Sequence, residues 1–189
     1  RVNGEKWVKN GVQAKYTIIP MLNYHKKQRY PISEKPSPNL PNDQSINLYP
    51  SLCFFEGTQV SIGRGTDFPF QVFGSPWLKN HPFKFTPKPN FGAKDPFLNG
   101  KICNGEDLRN YPEIKEKLDL SFVINAYKNF DKKSQEFFLK NLWFDTLAGT
   151  DELRKQIISG KSEEEIRNSW KQDLQNFEKI RTKYRIYQD

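Results

Sequence analysis

The distribution of proline divides this chain into two halves that cannot fold in the same way. Twelve of the thirteen prolines lie in residues 1–100, and the remaining one is Pro112. Proline has no backbone N–H to donate and clashes with the preceding helical turn, so frequent prolines exclude long helices and central strands. We therefore expect short strands and ordered loops in residues 1–100 and a mainly helical structure in residues 101–189.

The second half contains start signals for three helices. Asp119 and Thr150 each precede an apolar helical pattern, and Gly160 ends the second of these. Ser162 and Glu165 form a capping box at the start of the last helix. The apolar residues of that helix follow the 3.6-residue period: Ile166, Trp170, Leu174, Phe177, Ile180 and Tyr184. Such stripes typically pack on a sheet, so we expect all these faces in the core.

Together the two halves predict an α+β fold in a single domain over residues 1–189. A small mixed or antiparallel sheet with long ordered loops in the first half is packed by three or more helices from the second half. The segment FQVFG predicts a strand that leads to Trp77, and KFTPKP predicts an edge strand because of its prolines.

The first 41 residues combine a helix tail, a strand and a long loop. The initial helix ends at Gly11, and the alternating pattern of residues 12–19 predicts a strand. The sequence begins at Arg1 without a methionine, so we expect a fragment or a processed chain. A proline-rich loop as long as residues 21–41 is typically functional or disordered. Function is favoured by the side chains of Tyr24, Arg29, Tyr30 and Asn39.

The stretch of residues 49–77 has a polar, glycine-rich middle between two apolar segments. Apolar residues occupy positions 52–55 and return over residues 68–77. The middle carries one carboxylate, Glu56, and one guanidinium, Arg64. A charged loop that is fixed by buried segments on both sides has a defined position, which a binding site requires.

A short helix is expected to precede Glu56 and to deliver it at its C-terminal end. Asp43 or Ser45 is a suitable N-cap for this helix. Pro50 would have to lie in the first turn of this helix. Backbone N–H groups there make no intrahelical hydrogen bond, so the absence of one in proline costs nothing.

The net charge of +8 is concentrated in the half that contains the central stretch. Residues 1–100 hold 13 Lys and Arg against 6 Asp and Glu, whereas residues 101–189 hold 17 against 16. This imbalance indicates an anionic ligand. Nucleic acid is the rival interpretation and predicts steeply salt-dependent retention on DNA. We do not expect it, because the basic residues are scattered and form no nucleic-acid-binding motif.

Several common kinds of catalytic site are not indicated. His25 and His81 lie at no helical spacing from another metal ligand, so we expect no zinc site. The Gly63-Arg64-Gly65 tripeptide lacks the third glycine of a dinucleotide fingerprint, and we expect no cofactor. Ser61 is not part of a G-x-S-x-G elbow, which disfavours acyl transfer.

The two cysteines and the hydropathy pattern add little about location. Cys53 and Cys103 do not match a metal motif, and a disulfide between them remains open. Cys53 lies in an apolar run, which favours a small core residue over a reactive thiol. No apolar run is long enough to span a bilayer, and no signal peptide is recognised.

The chemistry of the central stretch then depends on Arg64 and Glu56. Arg64 is suited to grip a carboxylate through two parallel hydrogen bonds, or else it forms a structural ion pair with Glu56 or Asp67. Glu56 is suited to act as an acid, a base or an acceptor for sugar hydroxyls, or else it accepts backbone hydrogen bonds in its own turn. Most aromatic residues belong to the core, but five of them are suited to stacking on a sugar: Tyr24, Tyr30, Phe70, Phe73 and Trp77.

The string SLCFFEGTQVSIGRGTDFPFQVFGSPW resembles the signature of the NamZ/YbbC-like proteins, also called domain of unknown function 1343. The likeness extends upstream to NGEKWVKNGVQAKYTIIPMLNY and KPSPNLPN. Downstream it includes WFDTLAGTDELRKQI and FEKIRTKYRIY, so it covers essentially the whole chain. The core pattern E-G-T-x-x-S-x-G-R-G-T is specific to that family.

The resemblance implies a glycoside hydrolase that releases N-acetylmuramic acid from the non-reducing ends of peptidoglycan fragments. In this family an N-terminal Rossmann-like domain precedes the region that matches this chain, and the active site lies between the two. The family's catalytic glutamate is expected in that N-terminal domain, so this chain would be incomplete as an enzyme without it. Whether hydrolysis retains or inverts the anomeric configuration stays open. A wall substrate favours an envelope location, either periplasmic or secreted.

Combined with the resemblance, the residues predict a sugar site around Arg64. Arg64 would bind the lactyl carboxylate that distinguishes N-acetylmuramic acid from N-acetylglucosamine. Glu56 would be an acid/base candidate or an orienting group. The remaining candidate substrate-binding residues are Thr58, Ser61, Gly63, Gly65, Thr66, Gln71, Tyr24, Asn39 and Trp77. The competing function is a non-catalytic glycan-binding or cell-wall-binding module that has kept the sugar pocket.

Overall fold

The computed structural model describes residues 1–28, 30–112 and 117–187. Within these residues the chain forms an antiparallel sheet of three strands and six α-helices, so the predicted α+β class is confirmed. The strands are β1 (Val72–Ser75), β2 (Phe83–Phe85) and β3 (Cys103–Asp107). The helices are α1 (Asp43–Leu52), α2 (Ser121–Asn129), α3 (Trp143–Ala148), α4 (Glu152–Ile158), α5 (Glu163–Ser169) and α6 (Lys171–Thr182).

The sheet has the order β1-β3-β2, with β3 in the centre. The sequence predicted β1 from FQVFG and placed an edge strand in KFTPKP, where β2 ends at Phe85. It did not predict β3, because Cys-Asn-Gly-Glu-Asp has little of the β-branched or aromatic character of strands. Gly105 of β3 pairs with Gly74 of β1, and a Cβ atom on Gly105 would collide with the carbonyl of Phe73. The glycine that weakens the strand signal is therefore the residue that lets the strands approach.

The chain divides into two compact units, which we describe separately. Pro31–Ile166 form the larger one, and Arg1–Tyr30 with Arg167–Asp189 form the smaller one. In the larger unit, the rings of Phe55 and Phe73 stack with centroids 4.8 Å apart. Phe73 also packs edge-on against Phe122 of α2 at 6.0 Å. These contacts join the segment before Glu56, the sheet and a helix of the second half into one core.

Helix α1 begins and ends differently from the prediction. The N-cap is Asn42, whose side chain accepts from the Ser45 backbone N–H at 2.9 Å, and not Asp43 or Ser45. Pro50 lies in the last turn and not in the first. The hydrogen bond that proline cannot donate is thus lost close to the helix end, where the chain tightens into a 3₁₀ turn over Cys53–Gly57.

The predicted strand over residues 12–19 is absent. These residues have no regular secondary structure, and Ile19 is 88% exposed. A strand requires a neighbouring strand that accepts its backbone hydrogen bonds, and no strand or bridge of the described residues pairs with this segment. The backbone of Ala14 instead exchanges hydrogen bonds with the side chain of Asn3. The initial helix is reduced to a 3₁₀ turn over Lys9–Gly11. Residues 21–41, as far as they are described, contain no helix or strand, as expected.

The helical half keeps most of its predicted helix starts, with small shifts. The N-cap positions of α2 and α4 are Leu120 and Asp151, one residue after the predicted Asp119 and Thr150, and α3 was not predicted. Thr150 Oγ1 accepts from the Glu152 backbone N–H at 3.2 Å at the start of α4. The Ser162 N–H donates to Glu165 Oε2 at 2.7 Å, and the Glu165 N–H donates to Ser162 Oγ at 3.2 Å, so the predicted capping box forms. The Asp119 carboxylate accepts from the N–H of Ser121 at the start of α2.

The last helix is interrupted, and its predicted core face is wrong beyond α5. Helix α5 buries Ile166, but the chain breaks at Trp170 before α6 begins. In α6, Leu174 is 58% exposed and Phe177 is 37% exposed. Within the smaller unit, Phe177 stacks with Trp7 at a centroid distance of 6.5 Å. No helix in residues 1–28, 30–112 and 117–187 is long and apolar enough to cross a membrane.

Candidate functional site

The turn that carries Glu56 is held from both sides by packing. It follows α1 directly and lies against α3, where the ring of Phe54 is 5.6 Å from that of Phe144. Gly57 approaches Phe144 so closely that a Cβ atom would collide with the Phe144 backbone. Thr58 then closes the turn, because its hydroxyl donates to the Phe55 carbonyl at 2.9 Å. Glu56 therefore projects from a rigid turn.

The turn that carries Arg64 is closed by its own hydroxyl groups. Thr66 Oγ1 donates to the Gly63 carbonyl at 2.6 Å, and Ser61 Oγ accepts from the Gly63 N–H at 3.2 Å. Gly63 and Gly65 have φ values of +77° and +82°, which disfavour any side chain. A Cβ atom on either glycine would also meet neighbouring side chains of the protein. The two glycines are thus explained by turn geometry and packing, and not by open space for a ligand.

Arg64 and Glu56 form an ion pair. Arg64 Nη2 donates to Glu56 Oε1 at 2.8 Å, and the side chains are 39% and 25% exposed. The guanidinium carbon lies 5.2 Å from the centroid of the Phe70 ring, within the range of a cation–π contact. Of the two partners that the sequence left open, Glu56 is the one that Arg64 contacts in the described structure. The pair lies at the surface and stays accessible to solvent.

A small pocket of about 160 Å³ opens beside this ion pair. Its charged lining residues are Glu56 and Arg64, and most of the remaining lining is apolar. The lining residues are Phe55, Glu56, Thr58, Val60, Ser61, Ile62, Arg64, Phe97 and Leu139. A concave apolar surface beside a charged pair can hold a small organic ligand by its methyl or ring carbons while the charges orient it.

Phe97 and Leu139 were not predicted as site residues. Phe97 belongs to a loop of the first half, whereas Leu139 comes from the second half, which was expected to serve as support. The Leu139 N–H donates to the Gly57 carbonyl at 3.0 Å, which brings it to the pocket. This contact joins residues 82 positions apart in the sequence, and no local pattern around Leu139 indicates it.

Thr58 and Ser61 line the pocket, but their hydroxyls have internal partners. Both residues are almost completely buried, at 1% and 3% exposure. Thr58 Oγ1 accepts from the Val60 N–H in addition to its donated bond. Thr66 is occupied in the arginine turn, where its oxygen also accepts from the Phe68 N–H. These side chains shape the site and hold its backbone.

Two further candidates lie outside this pocket. Gln71 is 5% exposed, and its Oε1 accepts from Asn42 Nδ2 at 3.0 Å, which joins the cap of α1 to the start of β1. Asn39 Nδ2 donates to the Gly92 carbonyl at 2.8 Å and ties two loops together. Both amides therefore hold loops in place.

The remaining candidates lie elsewhere. Trp77 lines a neighbouring depression of the larger unit. Tyr24 belongs to the smaller unit, where its ring contacts Tyr187 at 4.8 Å. Tyr30 is 76% exposed. Arg29 lies outside the described residues.

Both cysteines are free thiols, so no disulfide forms between them. Burial raises the pKa of Cys53 to about 11, and the nearby Glu56 carboxylate adds to this effect. Burial raises the pKa of Cys103 to about 12. Such thiols are poor nucleophiles at neutral pH. In the part of the chain that the structure describes, no cluster of three or more His, Cys, Asp or Glu side chains is arranged to hold a metal ion.

Comparison with known proteins identifies the family. The family profile described as exo-beta-N-acetylmuramidase NamZ, C-terminal, matches residues 47–187, which include the ion pair and its pocket.

This chain belongs to the NamZ C-terminal family.

Relatives of this NamZ C-terminal chain include a protein of Bacillus subtilis strain 168 that is named peptidoglycan beta-N-acetylmuramidase NamZ. The two sequences are 32% identical over 194 residues, which cover 93% of this chain and 46% of the relative. The chain thus spans about half the length of that protein.

Solved structures agree on the fold. A DUF1343 family protein of Bacteroides fragilis NCTC 9343 superimposes with a TM-score of 0.91 at 43% identity, over 100% of this chain and 53% of its own. A second DUF1343 protein of the same organism is 17% identical and has a TM-score of 0.58 over 80% of this chain and 44% of its own. The second likeness concerns the fold alone.

Proposed function

We propose that this chain binds the N-acetylmuramic acid residue of a peptidoglycan fragment and acts as one part of an exo-β-N-acetylmuramidase. Family membership and the printed activity of the Bacillus subtilis relative support the reaction class. The observation that carries the proposal is the accessible Arg64–Glu56 pair at the mouth of a small apolar pocket. A peptidoglycan substrate also favours a location in the cell envelope.

Arg64 is the residue that would recognise the lactyl carboxylate. Glu56 takes one hydrogen bond from Nη2, and the 39% exposure of the side chain leaves guanidinium edge in contact with solvent. A guanidinium presents several N–H groups in a planar fork, so it can serve Glu56 and an incoming carboxylate at once. The Phe70 ring beneath it helps to fix the plane of that fork.

The apolar lining supports the same ligand. N-acetylmuramic acid carries two methyl groups, on its lactyl and acetamido substituents, close to polar atoms. Val60, Ile62 and Leu139 offer surface for one of them beside the charged pair. A pocket of about 160 Å³ suits a substituent of a sugar better than a whole disaccharide.

Glu56 would act here mainly as an orienting group. Its Oε1 holds Arg64, and its other oxygen is suited to accept a sugar hydroxyl. Glycoside hydrolysis generally requires two carboxyl groups across the scissile bond. As the family resemblance implies, we place the catalytic glutamate in a region that corresponds to the part of the relative that this chain does not cover.

Two measurements test the proposal. The 189-residue chain should bind N-acetylmuramic acid more tightly than N-acetylglucosamine in isothermal titration, because only the former carries the lactyl carboxylate. The intact natural protein should release N-acetylmuramic acid from a β-linked chromogenic glycoside. Equal affinity for both sugars would contradict the assignment of the pocket. Binding without hydrolysis by the intact protein would favour a glycan-binding module.

A further inference from the structure

A second depression adjoins the Glu56 pocket within the same unit. It has a volume of about 460 Å³ and lies open to solvent. Trp77 and Phe97 supply aromatic surface, and polar side chains come from Gln59, Asp95, Asn99 and Lys101. Phe97 lines both the depression and the Glu56 pocket, so the two share this residue.

The loop over residues 95–101 is built to point side chains into this depression. Pro96 and Leu98 are buried, whereas Phe97 and Asn99 between and after them are exposed. The Asn99 N–H donates to the Pro96 carbonyl at 3.1 Å, and the Lys101 N–H donates to the Leu98 carbonyl at 3.0 Å. Anchoring of alternate residues holds the outward side chains in place.

Trp77 is fixed by contacts with residues outside the loop over residues 95–101. Its carbonyl accepts from the Asp131 N–H at 2.8 Å, and its ring lies 6.2 Å from that of Phe130. Lys101 Nζ is 5.4 Å from the centroid of the indole ring. Lys101 is exposed, so its ammonium group can move aside or donate to a ligand that lies over the ring.

Three polar side chains of the depression make no hydrogen bond or ion pair within the described structure. Among the described residues, no side-chain hydrogen bond or ion pair is found for Gln59, Asp95 or Asn99. This contrasts with Thr58 and Ser61, whose hydroxyls are bound internally. The charges in the depression are one carboxylate and one ammonium, so the site as a whole is electrically balanced and suits a neutral ligand.

We infer that this depression is a second sugar subsite, which holds a neutral amino-sugar ring next to the muramic acid residue of the same fragment. The apolar C–H face of a pyranose fits over an indole ring, and side-chain amides pair with an acetamido group through matched donors and acceptors. Asp95 accepts from hydroxyls, and Lys101 donates to them. The inference rests on the proposed function, because the first ring must occupy the Arg64 pocket.

Isothermal titration of the 189-residue chain tests this inference with two ligands. One is N-acetylmuramic acid, and the other is its disaccharide with N-acetylglucosamine through a non-hydrolysable sulfur linkage. The wild type should bind the disaccharide at least about tenfold more tightly than the monosaccharide. Trp77→Ala should remove this advantage and leave the monosaccharide affinity within about twofold of the wild type.

Asn99→Ala provides a second variant, since Asn99 is exposed and its backbone bonds do not require the side chain. It should reduce the advantage without lowering the melting temperature. Phe91→Ala is the matched control, because Phe91 is 85% exposed and does not line the depression. It should change neither affinity.

The outcomes separate the two proposals. A wild type that gains nothing from the second ring, or an advantage that survives both Trp77→Ala and Asn99→Ala, overturns the second subsite. An advantage supplied by a muramyl peptide and not by the disaccharide also overturns it, in favour of a stem-peptide site. If the chain does not bind N-acetylmuramic acid, the assignment of Arg64 is overturned instead. In that case, binding of N-acetylglucosamine that depends on Trp77 would still support the depression as a sugar site.

Discussion

Arg64 donates a 2.8 Å hydrogen bond to Glu56, which lies eight positions earlier on a separate turn. One turn is closed by Thr66, and the other is packed against Phe144 of α3. The pair therefore joins two rigid turns at the mouth of the pocket, and both charged groups stay partly exposed. A pair of this kind can stabilise the loop in the absence of ligand and still bind an anion.

Arg64→Lys should weaken N-acetylmuramic acid binding by about tenfold, since lysine cannot form two parallel hydrogen bonds to a carboxylate. The affinity for N-acetylglucosamine should not change. Arg109→Lys is a matched control, because Arg109 also pairs with a carboxylate, Asp107, and lies 4.6 Å above the ring of Phe68. Titration calorimetry measures both affinities. If Arg64→Lys kept the wild-type preference for N-acetylmuramic acid over N-acetylglucosamine, the role of the Arg64 guanidinium would be refuted.

Glu56→Gln should raise the KM of the intact natural protein and change kcat by less than about tenfold, because glutamine keeps the acceptor oxygen that orients Arg64. A general acid or base typically contributes about 10² to 10⁴ in rate. A loss of kcat in that range would assign proton transfer to Glu56 and contradict the orienting role. Steady-state kinetics measure kcat and KM, and thermal melts show whether the variant is still folded.

Gly57→Ala should destabilise the fold by about 1–3 kcal/mol, the usual cost of forcing an extra group into a packed site. The added methyl group collides with the backbone of Phe144. Gly149→Ala is the comparison, because a Cβ atom there meets nothing within 4 Å and only its φ of +73° disfavours alanine. Urea denaturation should show a larger loss of unfolding free energy for Gly57→Ala than for Gly149→Ala. An equal loss would mean that α3 shifts easily to accommodate the methyl group.

Both thiols should react slowly with iodoacetamide at neutral pH. The raised pKa of Cys53, about 11 against an ordinary 9.0, implies roughly 10² less thiolate than an open cysteine contains. Cys103, with a pKa of about 12 and complete burial, should react only after unfolding. Intact-mass spectrometry over a pH series measures the labelling, and rapid modification of native Cys53 at pH 7 would be incompatible with this environment.

Glu106→Gln should stabilise the protein at pH 7 more than at pH 4. Burial raises the pKa of Glu106 above its ordinary value of 4.5, although His81, 3.4 Å away, opposes the effect. A raised carboxyl pKa means that folding favours the protonated form, so this group's contribution is fully present below 4.5 and is lost as the pH rises through the folded value. Melting temperatures of both proteins at the two pH values test the sign.

The sequence alone determined those features whose cause lies within a few residues. Proline density separated the two halves, and the Ser162–Glu165 capping box formed as predicted because its partners are three positions apart. The glycine-rich turn around Arg64 was recognisable for the same reason, since a positive φ and a short hydroxyl-closed turn are local requirements. The family pattern, also local in sequence, identified the chain.

Only the tertiary structure decided which distant residues meet. It placed Leu139 in the pocket, chose Glu56 over Asp67 as the partner of Arg64, and paired Gly105 with Gly74 in a strand whose composition gave no signal. It also left residues 12–19 without a strand partner, although their alternation is strand-like. Such outcomes depend on which surfaces are available to pack and to exchange hydrogen bonds across the fold. A sequence pattern indicates which side chains of a segment can be buried, but it does not indicate which distant residues they contact.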